Sequence, residues 1–470
     1  MSLVQASPGS DLALFDAGAL SDAYRSKAVS PVAVIFAVLD RIQCLNGYVN
    51  AFAWLDADAA LLSAKESERR WYRGEPLSVI DGVPVTLKDL LLVQGWPTRR
   101  GSKAVDANQA WHEDAPAAAR LREQGAVILG KTTTSEFGWK SLTDSPLTGV
   151  TRNPWNLAHT PGGSSGGAAV AAALGFGTLH VATDGGGSAR LPAALSGVFG
   201  FKPTFGSVPA YPPSQNGTLF HVAPITRSVR DAARLLDVIT LPDCRDWHAL
   251  PYQSASWTEV LDDGVKGLRI AFSPGLGYAQ VDQEVATIVQ TAAKVFIDLG
   301  ASVELIDPGI DDPIEIFHTL WSAGAAKLLT GLSPEQRALT EPGLQALAEH
   351  GRAIDAVTYL QTVERREALG RHFNVFHQKW DLLLTPTTAY PASLIEAPPD
   401  DLVARPINSP FTYPFNLTQQ PAASVSAGLT TGGLPVGLQI VGAKYGDAMV
   451  LRAAHAFEAA RPFPRPPDLP

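Results

Sequence analysis

Apolar positions along this chain recur with two periods, and together they sketch strands interleaved with helices. Within residues 10–45, Val34, Ile35, Val38 and Ile42 fall at helical spacing behind Ser30, an N-cap candidate, and Pro31, suited to a first helical position. A second helix is expected through Ala57 to Arg70. Residues 79–93 (VIDGVPVTLKDLLLV) are β-rich and interrupted by Pro84, which predicts a buried strand ending near Lys88. A helix over 114–124 and a short strand from Ala126 to Leu129 come next, and the small-residue segment 168–180 reads as a helix packed closely on a sheet. Residues 265–308 form a clear unit: strand GLRIAF, a helix from Asp282 to Leu299 stopped by Gly300, and strand SVELI. Residues 314–376 look mainly helical, Leu382 to Leu384 is a short buried strand, and GLPVGLQIVG (433–442) is a late strand leading to a helix over 447–460. This alternation predicts an α/β fold.

Length and composition narrow the picture. A chain of 470 residues with 46% hydrophobic and 18% charged residues can bury a large core. No internal repeat or long biased linker divides it, so one continuous domain over 1–470 is expected, with EAPPDDLVARP (396–406) as a surface loop. A net charge of −9 with scattered Lys and Arg argues against a nucleic-acid partner. Cys44 and Cys244 are far apart without metal-ligand spacing, which points away from a disulfide framework or zinc site and toward a reducing compartment. The N-terminus shows no signal-peptide pattern, and the longest small-apolar run, Ala168 to Leu179, is short for a membrane span. A cytoplasmic protein that does not engage a membrane is the expectation.

One literal motif match is set aside. Gly125 to Thr132 (GAVILGKT) fits the phosphate-loop pattern, but such a loop wraps phosphates after a strand has ended, and Ala126 to Leu129 is itself a strand. Lys131 is better placed at a strand end.

The richest chemistry lies between Gly162 and Ser188, which opens GGSSGG and closes TDGGGS. A serine hydroxyl needs an adjacent base to act as a nucleophile. A lysine can be that base where burial disfavours its ammonium form, and Lys88, between VPVTL and DLLLV, is suitably apolar in setting. Gly185, Gly186 and Gly187 before Ser188 could aim backbone N–H groups at a tetrahedral oxyanion.

The runs GVPVTLKD, RNPWN (152–156), PGGSSGG (161–167), TDGGGSARLPAALSGVFGFKPTFG (183–206), PITRSVRDA (224–232) and GLPVGLQIVG resemble the amidase signature family of serine hydrolases over roughly residues 20–460, with a serine-to-serine spacing of 24 from Ser164 to Ser188 as in that family. The resemblance implies a single large domain with a central, mixed, twisted β-sheet covered by helices, a catalytic core at about 75–235 and a C-terminal part, about 236–470, completing sheet and pocket. It implies a Ser–cis-Ser–Lys triad: Ser188 the nucleophile, Ser164 the serine in a cis peptide, Lys88 the base, and the N–H groups of Gly185 to Ser188 the oxyanion hole. Ser165 would support the network, and Asp184 and Arg190 would pair and brace the loop. The implied activity is hydrolysis of a small-molecule amide to an acid and ammonia or amine, without metal or organic cofactor; a homodimer is allowed for.

Some positions depart from the family pattern. Gly185 stands where Thr or Ile is usual and Ala189 where Ile is usual, which predicts more room beside the nucleophile; Gln419, in NLTQQP (416–421), stands at a Gly position. Aromatic Phe137, Trp139, Trp321, Phe411, Tyr413 and Phe415 are candidates for a pocket, with Phe137, Trp139, Trp321 and Tyr413 favoured, and they would suit an aryl or extended apolar amide. An α/β-hydrolase esterase is one rival, since GSSGG fits G-x-S-x-G with Ser165 as nucleophile, but it needs an acid and a His, for which only His377 or His455 could be offered. The other rival is the glutaminase subunit of a tRNA-dependent amidotransferase. The segments FGWKSL (137–142) and QQP favour a stand-alone amidase over that rival.

Overall fold

The computed structural model describes residues 11–254, 256–396 and 410–469. Among them, thirteen strands are present: β1 (Phe52–Leu55), β2 (Pro84–Lys88), β3 (Val127–Thr132), β4 (Asp144–Ser145), β5 (Gly149–Val150), β6 (Leu179–Asp184), β7 (Phe199–Lys202), β8 (His221–Thr226), β9 (Arg269–Phe272), β10 (Ser302–Leu305), β11 (Leu382–Pro386), β12 (Ala422–Leu429) and β13 (Pro435–Gly442). β4 and β5 pair apart, and the other eleven form one sheet in the order β1-β3-β2-β6-β8-β7-β12-β13-β11-β9-β10. The sheet is mixed. β3, β2 and β6 run parallel, as do β11, β9 and β10, whereas the pairings from β6 through β8, β7, β12 and β13 to β11 are antiparallel. Strands from both halves of the chain thus share one hydrogen-bonded ladder, flanked by helices in a single α/β domain.

Local sequence explains the elements that hold the site. The helix Pro31–Val49 starts where Ser30 Oγ accepts the Ala33 N–H at 3.1 Å, a cap worth about 1 kcal/mol. By length and composition this helix could cross a membrane, but Val34, Ile35, Val38 and Ile42 are buried in the main core cluster and Arg41 Nη1 pairs with Asp11 at 2.7 Å. β2 and β3 are buried along their whole length, which is why their sequences lack polar alternation.

The helix expected over 168–180 runs instead over Gly166–Leu174. Gly175, at φ +71°, ends it, and Leu179 and His180 belong to β6. Small and apolar residues predominate on both sides of the join because both elements are wholly buried, so hydropathy alone marks no boundary between them. The surface-loop candidate 396–406 lies outside the described residues except for Glu396.

Candidate active site

Because β2, β3 and β6 are parallel, their carboxyl ends share one edge of the sheet, the edge outside which open α/β sheets hold ligands. Lys88 ends β2, Lys131 and Thr132 end β3, and Thr183 and Asp184 end β6. The Gly162–Ser165 loop crosses above this edge into the helix Gly166–Leu174. Gly167 lets that helix approach: a Cβ there would lie 2.5 Å from Thr133 N and 2.7 Å from Ala51 O. The two serine segments are joined directly, since Ser165 N–H donates to Ser188 O at 3.1 Å.

Lys88 is fully buried, and its Nζ lies 2.7 Å from Ser164 Oγ, 2.8 Å from Ser165 Oγ and 3.0 Å from Thr183 Oγ1. Burial pushes the Lys88 ammonium well below the ordinary lysine range, against the opposing attraction of Asp184. Uncharged, the amine has two protons and one lone pair for three hydroxyl neighbours. Ser165 commits its own proton to Thr183 O at 3.1 Å and therefore accepts from Lys88. Ser164 can then donate to the lone pair. The Gly163–Ser164 peptide is cis.

Asp184 organises the second loop. Its Oδ1 accepts the Gly187 N–H at 2.8 Å and its Oδ2 the Ala189 N–H at 3.2 Å. Arg190 pairs with it through Nη2 at 2.9 Å and Nε at 3.0 Å, both side chains being completely buried. Burial alone would raise the Asp184 carboxyl, but the Arg190 charge and its hydrogen bonds, with Asn416, more than offset this and hold it well below the usual carboxylate range. Arg190 extends the brace to Asn416 Oδ1 at 2.6 Å and Gln439 Oε1 at 2.8 Å. Gly187, at φ +129°, has no space for a side chain, since a Cβ would lie 2.2 Å from Thr412 Oγ1. Its N–H is already donated to Asp184, which leaves those of Gly185, Gly186 and Ser188 to point elsewhere.

A cavity of about 250 Å³ opens over Ser164, Thr183, Gly185 and Ser188. Phe137 and Trp321 form part of its wall with Leu90 and Phe220. Trp139 and Tyr413 stand behind them in a buried aromatic cluster with Phe317, and Phe411 and Phe415 pack in a separate cluster. The extra room expected at Gly185 is taken by the Trp321 ring, whose Cζ3 and Cη2 lie 3.0 and 3.2 Å from where a Cβ would be. Ala189 is enclosed by other alanines. Gly185→Thr is therefore expected to overpack this wall by about 1–3 kcal/mol, and to cost less when introduced into a Trp321→Ala background than into the parent. Denaturant melts showing the single variant as stable as the parent would refute this packing. Gln419 adopts φ +64°, the left-handed conformation in which glycine is at ease, and its Oε1 accepts from Lys444 Nζ at 2.9 Å.

Thr183, Asn416 and Gln439 were not singled out by sequence. Thr183 had a local signal, beside Asp184 on a buried strand; Asn416 and Gln439 fall within the runs NLTQQP and GLPVGLQIVG, but lie more than 220 residues from Arg190, so nothing local links them to it. Ser165 is wholly buried and absent from the cavity wall, and no histidine lines that wall among the described residues. His377 Nδ1 faces Trp380 O at 2.9 Å and His455 Nε2 faces Asp262 at 3.3 Å.

The chain is similar to known proteins over most of its length. The family model for amidases matches residues 33–451. An acylamidase of Rhodococcus erythropolis is 36% identical over 93% of this chain and 94% of its own length. A glutamyl-tRNA(Gln) amidotransferase component of Geotalea daltonii is 33% identical over 93% of this chain and 96% of its own. The crystal structure of a bacterial aryl acylamidase of the amidase signature family superposes with a TM-score of 0.89 and 31% identity, covering 97% of this chain and 98% of that one. A buried lysine among serines at the open edge of one mixed sheet, and likeness over nearly the whole length, lead to one conclusion: the chain belongs to the amidase signature family and is a hydrolase of amide C–N bonds.

Proposed function

We propose that this hydrolase cleaves small-molecule amides through an acyl-enzyme on Ser188, with uncharged Lys88 as base and Ser164 as proton relay. The observation that carries the reading is the buried Lys88 amine 2.7 Å from Ser164 Oγ, beneath a cavity whose wall includes Ser188. Lys88 takes the proton of Ser164 as Ser164 takes that of Ser188, whose Oγ attacks the carbonyl carbon. Backbone N–H groups of Gly185, Gly186 and Ser188 are the donors left for the oxyanion. The relay then returns the proton to the departing nitrogen, and water releases the acid by the same route. Asp184 and Arg190 position these groups without touching the reacting atoms, and Ser165 orients the Lys88 amine by accepting its hydrogen bond.

The mostly apolar wall, with Phe137 and Trp321, and the acylamidase relatives support an aryl or extended acyl amide as substrate. A stand-alone enzyme is favoured over a component of an amidotransferase. The unusual FGWKSL segment is fastened within the chain itself, with Trp139 Nε1 donating to Glu341 Oε2 at 2.5 Å and Lys140 Nζ to Glu341 Oε1 at 2.8 Å. Two exposed free cysteines, Cys44 and Cys244, fit a reducing cytoplasm.

The direct test is release of ammonia or amine from a panel of aliphatic, aryl, amino-acid and urea-type amides by the purified chain alone. Glutaminase activity that appears only with an added partner protein would reverse the stand-alone reading. The base has its own signature. Because Lys88 works uncharged, kcat/KM should rise with pH and level off above a pKa well below the ordinary lysine range. Lys88→Ala should lose at least about 100-fold in kcat/KM with the fold intact by circular dichroism. Near-parental rates in that variant would rule Lys88 out as the base.

A further inference from the structure

A cationic side chain, Arg100, lies on the cavity wall without a role in the proposed mechanism. Arg100 borders both the catalytic cavity and an adjoining one of about 760 Å³, and Phe137, Pro213 and Gln215 border both as well. Its guanidinium makes no hydrogen bond or ion pair with any described residue. The nearby carboxylate is Asp89, but Asp89 Oδ1 is paired with Lys131 Nζ at 2.9 Å and its Oδ2 accepts the Gly101 N–H at 3.3 Å. Burial lowers the Lys131 ammonium to about 8, against the attraction of Asp89. Asp89 is therefore engaged by Lys131 and the Gly101 N–H, and Arg100 keeps only a longer-range attraction to it.

The backbone holds Arg100 in an uncommon conformation. Arg100 and Phe137 both lie in the left-handed region, at φ +55° and +50°, and Phe137 N–H donates to Arg100 O at 2.8 Å. Gly101 follows at φ +65°, where a Cβ would lie 2.9 Å from Thr134 O. Non-glycine residues in this region persist where the surrounding structure over-determines them, and they gather at ligand sites. A half-buried guanidinium without a protein partner has donors free for a ligand, and a carboxylate matches its planar fork through two parallel hydrogen bonds.

We infer that Arg100 receives a carboxylate carried by the amide substrate away from its scissile bond, so that the preferred substrates are amides with an apolar body and an acidic end. This rests on the amide-hydrolase reading above and deepens it.

The test uses matched pairs: N-phenylsuccinamate against N-phenylbutanamide, with the acid on the acyl side, and 4-acetamidobenzoate against acetanilide, with the acid on the amine side. In at least one pair the acid should be preferred about 10- to 100-fold in kcat/KM, mainly through KM. Arg100→Met should bring that ratio close to one, and Arg100→Lys should keep part of it. Calorimetric binding of the same pairs to Ser188→Ala, with and without Arg100→Met, reads the preference without turnover. Acid-selective binding that Arg100→Met abolishes supports the inference even if the hydrolytic mechanism proves wrong. Absence of acid preference in both pairs, or a preference that survives Arg100→Met, overturns it while leaving amide hydrolysis standing.

Discussion

Ser188→Ala is expected to abolish amide hydrolysis, with a fall in kcat of about 10⁴- to 10⁶-fold and an unchanged thermal midpoint. The loss is large because no other hydroxyl is equivalent. Ser164 is held against Lys88 Nζ, and Ser165 is wholly buried with its proton committed to Thr183 O. A fluorophosphonate or sulfonyl fluoride should therefore modify Ser188 alone, identified by peptide mass spectrometry. Modification at Ser165 would instead favour a nucleophile in the GSSGG turn, and substantial residual turnover by Ser188→Ala would remove Ser188 from the nucleophile's role.

Asp184→Ala is expected to be the most damaging substitution for stability, at about 3–5 kcal/mol. It leaves the completely buried Arg190 without its anion and frees the Gly187 and Ala189 N–H groups at once. Activity should fall with it, because the nucleophile's loop loses its brace. Since the folded carboxyl titrates well below its ordinary value, the stabilisation is present above about pH 4 and is lost only as pH falls toward the depressed pKa. Combining Asp184→Ala with Arg190→Met should recover much of the stability in urea denaturation. No recovery in the double variant would show that the cost lies in the backbone hydrogen bonds and not in the stranded guanidinium.

How much of this was readable from sequence depends on how local each signal is. Ser30 and Pro31 announced a helix start, and Asp282 with Gly300 bracketed another, because caps are chemistry between residues three or four apart. Lys88, Ser164 and Ser188 stood out as candidates through the family resemblance, helped at the serines by the glycines crowded around them. The helix ending at Leu174 was overrun to residue 180 because complete burial erases periodicity. Trp321 beside Gly185 could not be read at all, since a vacancy in sequence says nothing about which distant ring fills it. Arg100 looked like one scattered cation among many until its place between two cavities and its lack of a protein partner were visible.

The brace around Arg190 also has a meaning in time. The ribosome delivers the serines and Asp184 early, yet Asn416 and Gln439 emerge 226 and 249 residues after Arg190. Until β12 and β13 insert between β7 and β11, the loop bearing Ser188 lacks its final anchors and the sheet remains open at its middle. Hydrolytic competence thus arrives only once residues 416 and 439 have been made, and a product ending before residue 416 is expected to be catalytically silent.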